Sequence, residues 1–189
     1  MKQTKIYWAS KDSLNYQIRL AQLTDMPNLL EHYHQTRLYM IESGNPTQWQ
    51  GYPSKEILTE DIHKKQLYIL EAVETDVLQS NHSLLASFVF QLGIEPNYQK
   101  IHGQWSNNEL NYVTLHRVAS NHKLKHTFSE IVKFALYKTK ELYGYSYIRI
   151  DTHSDNKPMQ AALKRTHFVY CGKIFIKHGG ERLAYDFLA

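Results

Sequence analysis

One stretch of this sequence leaves few folds open. Residues 110–119, LNYVTLHRVA, have the alternation and β-branched content of a strand. Residues 127–143 then place Phe128, Ile131, Val132, Ala135 and Leu142 on one helical stripe, and Gly144 ends the helix. Residues 146–151 read as a strand again. A helix between two strands of one sheet makes a crossover, and a crossover of a dozen residues or more joins parallel neighbours. The chain is therefore expected to contain a parallel strand pair with a helix laid across it.

The remaining elements surround that unit. Residues 16–20 form a short strand, and Thr24 reads as the N-cap of a helix with Asp25 and Pro27 in its first turn. Met26, Leu29, Leu30, Tyr33, Arg37 and Ile41 follow at helical spacing until Ser43-Gly44-Asn45-Pro46 stops the helix. A loop with Trp49 and Tyr52 leads to a second helix starting near Ser54. Residues 67–73 and 84–92 are strands on either side of an exposed hairpin loop, and residues 93–110 are mostly loop. After the crossover, Asn156 caps a short helix over 157–166, and residues 168–176 and 182–188 pair around a turn at His178-Gly179-Gly180. The fold class is α/β in the broad sense (α+β): a mixed, mostly antiparallel central sheet with one parallel pair, flanked by helices. No linker or repeat divides residues 1–189, so one domain is expected.

Composition narrows the function. With 42% hydrophobic and 21% charged residues the chain is globular rather than disordered or fibrous. The net charge of +4 suits an anionic ligand, but no run of five or more like charges occurs, so nucleic acid is not the expected partner. Residues 1–10 lack the apolar core of a signal peptide, and no window approaches the roughly 18 apolar residues of a membrane span. A soluble cytoplasmic protein without a membrane partner is expected. Cys171, the one cysteine, reads as a small core residue. His32 and His34 face different ways on their helix, and His122 and His126 lack an acidic or cysteine partner, so no metal site is expected.

Several segments together resemble the GNAT superfamily of acetyltransferases: IRLAQLTDMPNLLEHY near the start, YVTLHRVAS, YIRIDTHSDNKPMQ, HFVYCGKIFI and RLAYDFL. The most specific is DTH-x-DN-x-x-MQ, and the resemblance spans almost the whole chain. It implies the acyl-CoA N-acyltransferase fold, in which the parallel strands splay apart where they end. It implies acetyl-CoA as cosubstrate, its pantetheine arm bonded to the free backbone at Val118, Ala119 and Ser120. It also implies an acyltransferase that moves an acetyl group to a primary amine of a small molecule or peptide by direct attack in a ternary complex. Members of this fold often pair, so a homodimer is a state to test.

The cofactor loop departs from the family pattern. Helix N-termini bind phosphate through free N–H groups and the positive end of the dipole. The family pattern Q/R-x-x-G-x-G/A falls here on Lys123-Leu124-Lys125-His126-Thr127-Phe128, with Ser129 next and Asn156 on the facing helix. The basic start is kept, but His126 and Phe128 stand where small residues are usual. Either Lys123, Lys125 and His126 compensate by charge while Phe128 turns into the core, or the bulk weakens binding. In the second case the chain is a non-catalytic GNAT-fold module that binds a ligand or partner.

Acyl transfer to an amine needs a base to take its proton. His116 is one candidate, on a strand face shared with Tyr112, Thr114 and Val118; the alternative is a hydrogen-bonded sheet histidine. Asp151 and His153 form a base–orienter pair or else hold the turn before the next helix. The resemblance implies a tyrosine acid seven residues after the asparagine at 156, as in many members of that superfamily, and that position is Leu163 here. Tyr185 or Tyr170 would have to substitute. Trp49 and Tyr52 either pack the acceptor or anchor their loop, and Arg117 and Arg182 read as ion-pair residues.

Overall fold

The computed structural model describes residues 7–11, 14–73, 84–177 and 180–189. Its elements run β1 (Tyr7–Lys11), β2 (Leu14–Leu20), α1 (Met26–Glu42), α2 (Lys55–His63), β3 (Leu67–Ala72), β4 (Leu84–Leu92), β5 (Ile101–Gly103) and β6 (Val113–Ser120). Then come α3 (Thr127–Tyr143), β7 (Tyr147–Thr152), α4 (Lys157–Arg165), β8 (Val169–Ile176) and β9 (Gly180–Leu188). The described strands form one sheet in the order β1-β2-β3-β4-β6-β7-β9-β8-β5. The pair β6/β7 is parallel and every other described pair is antiparallel. The crossover through α3 thus lies in the middle of a mixed sheet, as the sequence predicts.

Alternation along the strands sorts the core into two faces. Phe88, Phe90, Val113, Leu115, Ile148 and Ile150 point toward α3 and pack with Ile131, Phe134, Ala135 and, from α4, Leu163. On the other face α1 and α2 bring Leu29, Tyr33, Leu58 and Ile62 against Leu67, Ile69 and Val89. Further along that face Tyr98, Trp105 and Tyr112 cover Tyr147 and Ala184. Residues 93–112 therefore act as a second cover for the sheet rather than as mere connection.

Several expectations need correction. Thr24 does not cap α1: Leu23–Asp25 forms a 3₁₀ turn, and the Asp25 carboxylate accepts the Gln22 amide at 2.7 Å. Arg19 binds Asp25 and also Glu71 of β3, so this end of α1 is tied to the sheet by charge. The buried stripe of α1 is Met26, Leu29, Tyr33, Thr36 and Met40, whereas Leu30 and Ile41 are exposed. Leu142 of α3 is exposed as well. The sequence reading missed β1 and β5. In β5, Gly103 pairs with Gly172 so closely that a Cβ on either would overlap the opposing backbone. The hairpin loop expected between β3 and β4 lies outside the described residues, as do His178 and Gly179 of the last turn.

Candidate active site at the splayed strands

The site begins where β6 and β7 stop pairing. Their ladder covers Val113–Ile148, Thr114–Arg149 and Leu115–Ile150 and ends there. Each strand continues with its other neighbour: β6 pairs β4 as far as Ser120–Ala86, and β7 pairs β9 as far as Thr152–Leu183. The cause of the divergence is a bulge in β6. Its register against β4 slips between Ser87 and Val89, and Arg117 takes a left-handed backbone with φ of 50°. A bulge bends and twists its strand, which here turns β6 away from β7. Beyond it the Asn121 amide donates back to Leu85 on β4. By alternation the amides and carbonyls of Val118 and Ser120 face the opening.

The bulge also changes which side chains share a face. His116 keeps the side opposite α3, but Val118, expected beside it, swings over and packs with the core under α3.

A cavity of about 370 Å³ adjoins the opening, walled by α1, the end of β6, the first turn of α3 and α4. Val118, Ala119, Ser120, Lys125, His126, Thr127, Phe128, Ser129 and Asn156 all line it. Lys123 lies instead beside the neighbouring hollow against α1. The first turn of α3 carries N–H groups without intrahelical partners, with Lys125 and His126 exposed around it. His126 sits at the N-cap with φ of 58° and ψ of 31°, a left-handed backbone. The position where the family pattern has glycine thus keeps the conformation that favours glycine, at a cost of about 1–2 kcal/mol for a residue with a Cβ. Thr127 Oγ1 donates to the Leu124 carbonyl at 2.5 Å and fixes the turn. Phe128 is half-buried and packs with Phe168 and the core, so its ring only edges the cavity. Asn156 caps α4 by accepting the Met159 amide at 3.1 Å and donates to Gln48 of the loop after α1.

On the sheet face opposite α3, His116 and Asp151 stand one residue past the last paired residues, one on each splayed strand. His116 Nε2 is 3.2 Å from Glu95 Oε2. Asp151 Oδ1 accepts the Tyr98 hydroxyl at 2.6 Å, with Arg182 Nε 4.0 Å from Oδ2. Burial alone would raise the Glu95 carboxyl, but the hydrogen bonds from His116 and Asn97 outweigh it and hold it at about 2. Tyr98 is pushed well above its ordinary value by burial and by the charge and hydrogen bond of Asp151.

The other candidates are placed elsewhere. His153 sits in the turn before α4, its Nδ1 accepting the Asp155 amide at 3.2 Å and its carbonyl accepting the Asn156 amide. Tyr185 lies across the sheet from His116, packed with Tyr170 and the α3-side core. Leu163 is fully buried in that core. Trp49 packs edge-on to Tyr33, and the Tyr52 hydroxyl accepts Arg117 Nη1 at 2.5 Å. Arg117 also binds Asp61 of α2 at 2.7 Å, so the loop carrying Trp49 and Tyr52 is lashed to the bulge. Cys171 is buried, and burial together with Asp186 raises its thiol to about 12. Among the described residues no group of three or more His, Cys, Asp or Glu is placed to hold a metal ion. No described helix is long and apolar enough to cross a membrane.

Glu95 and Tyr98 escaped the sequence reading. Pro96 itself marks a turn, and Glu95 before it accepts the Asn97 amide. Nothing in the pattern announces its pairing with His116.

No protein-family model and no curated protein matches the sequence. Solved structures do match the fold. A GNAT-family acetyltransferase from Streptococcus agalactiae superposes with a TM-score of 0.75 at 26% identity, covering 98% of this chain and 99% of that one. A GNAT-family acetyltransferase from Listeria monocytogenes gives a TM-score of 0.69 at 17% identity, covering 97% of this chain and all of that one. A ribosomal-protein-S5-alanine acetyltransferase from Vibrio fischeri gives 0.59 at 12% identity, with 96% of each chain covered. Over nearly its whole length the chain has the fold of the GNAT-family acetyltransferases.

Proposed function

We propose that the chain is an acetyl-CoA-dependent N-acetyltransferase that acetylates a primary amine of a small molecule or a peptide in a ternary complex. The observation that carries this reading is the splay itself. A cavity lined by the α3 N-terminus lies at one side of it, and His116 and Asp151 stand at the other.

The residues present fit the cosubstrate. The unpaired backbone of Val118 and Ser120 suits the pantetheine arm as an added strand edge. The first turn of α3, with Lys125 and His126 beside it, suits the pyrophosphate, and the left-handed His126 keeps the turn that glycine usually makes. Acetyl-CoA supplies an activated acyl carbon as a thioester.

His116 is the base. It takes the proton that the amine nitrogen sheds as the N–C bond forms and the C–S bond breaks. As an imidazolium it then hands that proton to the departing thiolate. This closes the proton balance without a tyrosine on α4, where Leu163 belongs to the core. Tyr52, bonded to Arg117, and Trp49 beside its ring border the acceptor side.

The second reading, a binding module without catalysis, draws on the same Leu163 and on His126 and Phe128. Calorimetry with acetyl-CoA and a panel of amines separates the two. Expected are binding of acetyl-CoA and turnover that falls roughly 10²–10⁴-fold in His116→Ala, with KM for acetyl-CoA unchanged. Absence of heat and of any thermal shift at millimolar acetyl-CoA would remove the enzyme reading.

A further inference from the structure

We propose that the short turn at residues 95–98 is a positioning device for acetyl transfer, with Glu95 fixing the tautomer and orientation of His116. The inference rests on the reading of His116 as the base. The turn reaches both splayed strands at once: Glu95 meets His116 on β6 and Tyr98 meets Asp151 on β7. It therefore spans the opening on the acceptor face and sets the two side chains relative to each other.

Glu95 is itself held firmly. It is buried, Oε1 accepts the Asn97 amide at 3.1 Å and the Asn97 side chain at 2.6 Å, and Oε2 accepts Gln91 Nε2 at 3.1 Å. The Glu95 amide in turn donates to the Tyr112 hydroxyl at 3.1 Å. A carboxylate fixed from so many sides cannot follow a wandering imidazole; the imidazole must follow it.

The tautomer follows from charge. An ionised carboxylate only accepts hydrogen bonds. With Glu95 kept ionised, His116 Nε2 must carry the proton toward it, and Nδ1 is left with the lone pair. That is the arrangement in which an orienting acid prepares a histidine to take a proton. The groups facing His116 are Glu95 and the Tyr98 ring, with Asp151 and Arg182 beyond the Tyr98 hydroxyl. Of these, Glu95 is the one bonded to the ring.

Three measurements on the full chain test this. Nitrogen NMR of the wild-type protein at neutral pH is expected to show the His116 Nε2–H tautomer, and an Nδ1–H tautomer would overturn the proposal without any variant being made. Glu95→Gln is expected to lower kcat roughly ten- to a hundredfold, a part of what general-base catalysis supplies, with KM for acetyl-CoA unchanged. Glu95→Asp, which keeps the charge and the acceptor oxygens, should recover part of the lost kcat. If Glu95→Gln keeps the wild-type kcat while His116→Ala is inactive, Glu95 positions nothing and the base assignment stands. A fully active His116→Ala would end the base assignment, and this proposal with it.

Discussion

At the scale of single residues, His32 shows how burial becomes pH sensitivity. It lies on the inner side of α1 and is 7% exposed, with no hydrogen-bond partner at Nε2. Burial lowers its imidazole from 6.5 to about 4, only partly opposed by a hydrogen bond to the Ala119 backbone. In the unfolded chain the same ring takes up a proton near 6.5. Between those limits the unfolded state binds more protons, so stability falls as pH is lowered through that window and is unaffected above it. The loss reaches about 3 kcal/mol by the acid end. We expect His32→Asn, which cannot titrate, to flatten the dependence of the unfolding midpoint between pH 6.5 and 4. Urea unfolding at a series of pH values checks this; an unchanged slope in the variant would refute it.

At the scale of elements, the start of α3 carries bulky His126 and Phe128 where the acetyltransferase pattern it resembles has small residues. His126 holds a left-handed backbone without a side-chain cap. Replacing it with glycine should relieve the strain and raise stability by about 1 kcal/mol, seen as a higher urea midpoint at unchanged m-value. The same variant should bind acetyl-CoA more tightly in calorimetry, because the phosphates can approach the bare backbone. A lower midpoint would show that the His126 ring makes up for its backbone. This element also shows how much the sequence discloses. The bounds of α3, the Gly144 stop and the Asn156 cap were legible because each rests on local periodicity or a local hydrogen bond. The bulge at Arg117 and the side of the sheet taken by Val118 were not, because they depend on how β6 meets β4; nor was the left-handed His126, since only glycine announces that backbone in a sequence. Glu95 was hidden for a related reason: its partner His116 is 21 residues away on a strand the turn reaches only after folding. Likewise β5 is three residues long and paired through close-packed glycines, too little for alternation to reveal.

At the scale of the whole molecule, Arg117 is the tie that matters most. Its carbonyl accepts the Tyr33 hydroxyl of α1, and its guanidinium bonds the Tyr52 hydroxyl and Asp61 of α2. Burial alone would lower its guanidinium pKa, and Tyr52 and Asp61 more than offset that. Removing one partner of a buried pair strands the other charge. Arg117→Ala should therefore cost about 3–5 kcal/mol, while the double variant with Asp61→Ala should cost less than the two single changes added together. Strict additivity in denaturant unfolding would show that the pair is not coupled. Another consequence lies in the order of the strands. Although β9 is the last described strand in the chain, it sits inside the sheet between β7 and β8. As the chain emerges during synthesis, β7 can dock on β6 but keeps a bare edge until β9 arrives. The strand that carries Asp151 is therefore completed by a non-local pairing, the kind that forms slowly and leaves an unpaired edge exposed meanwhile.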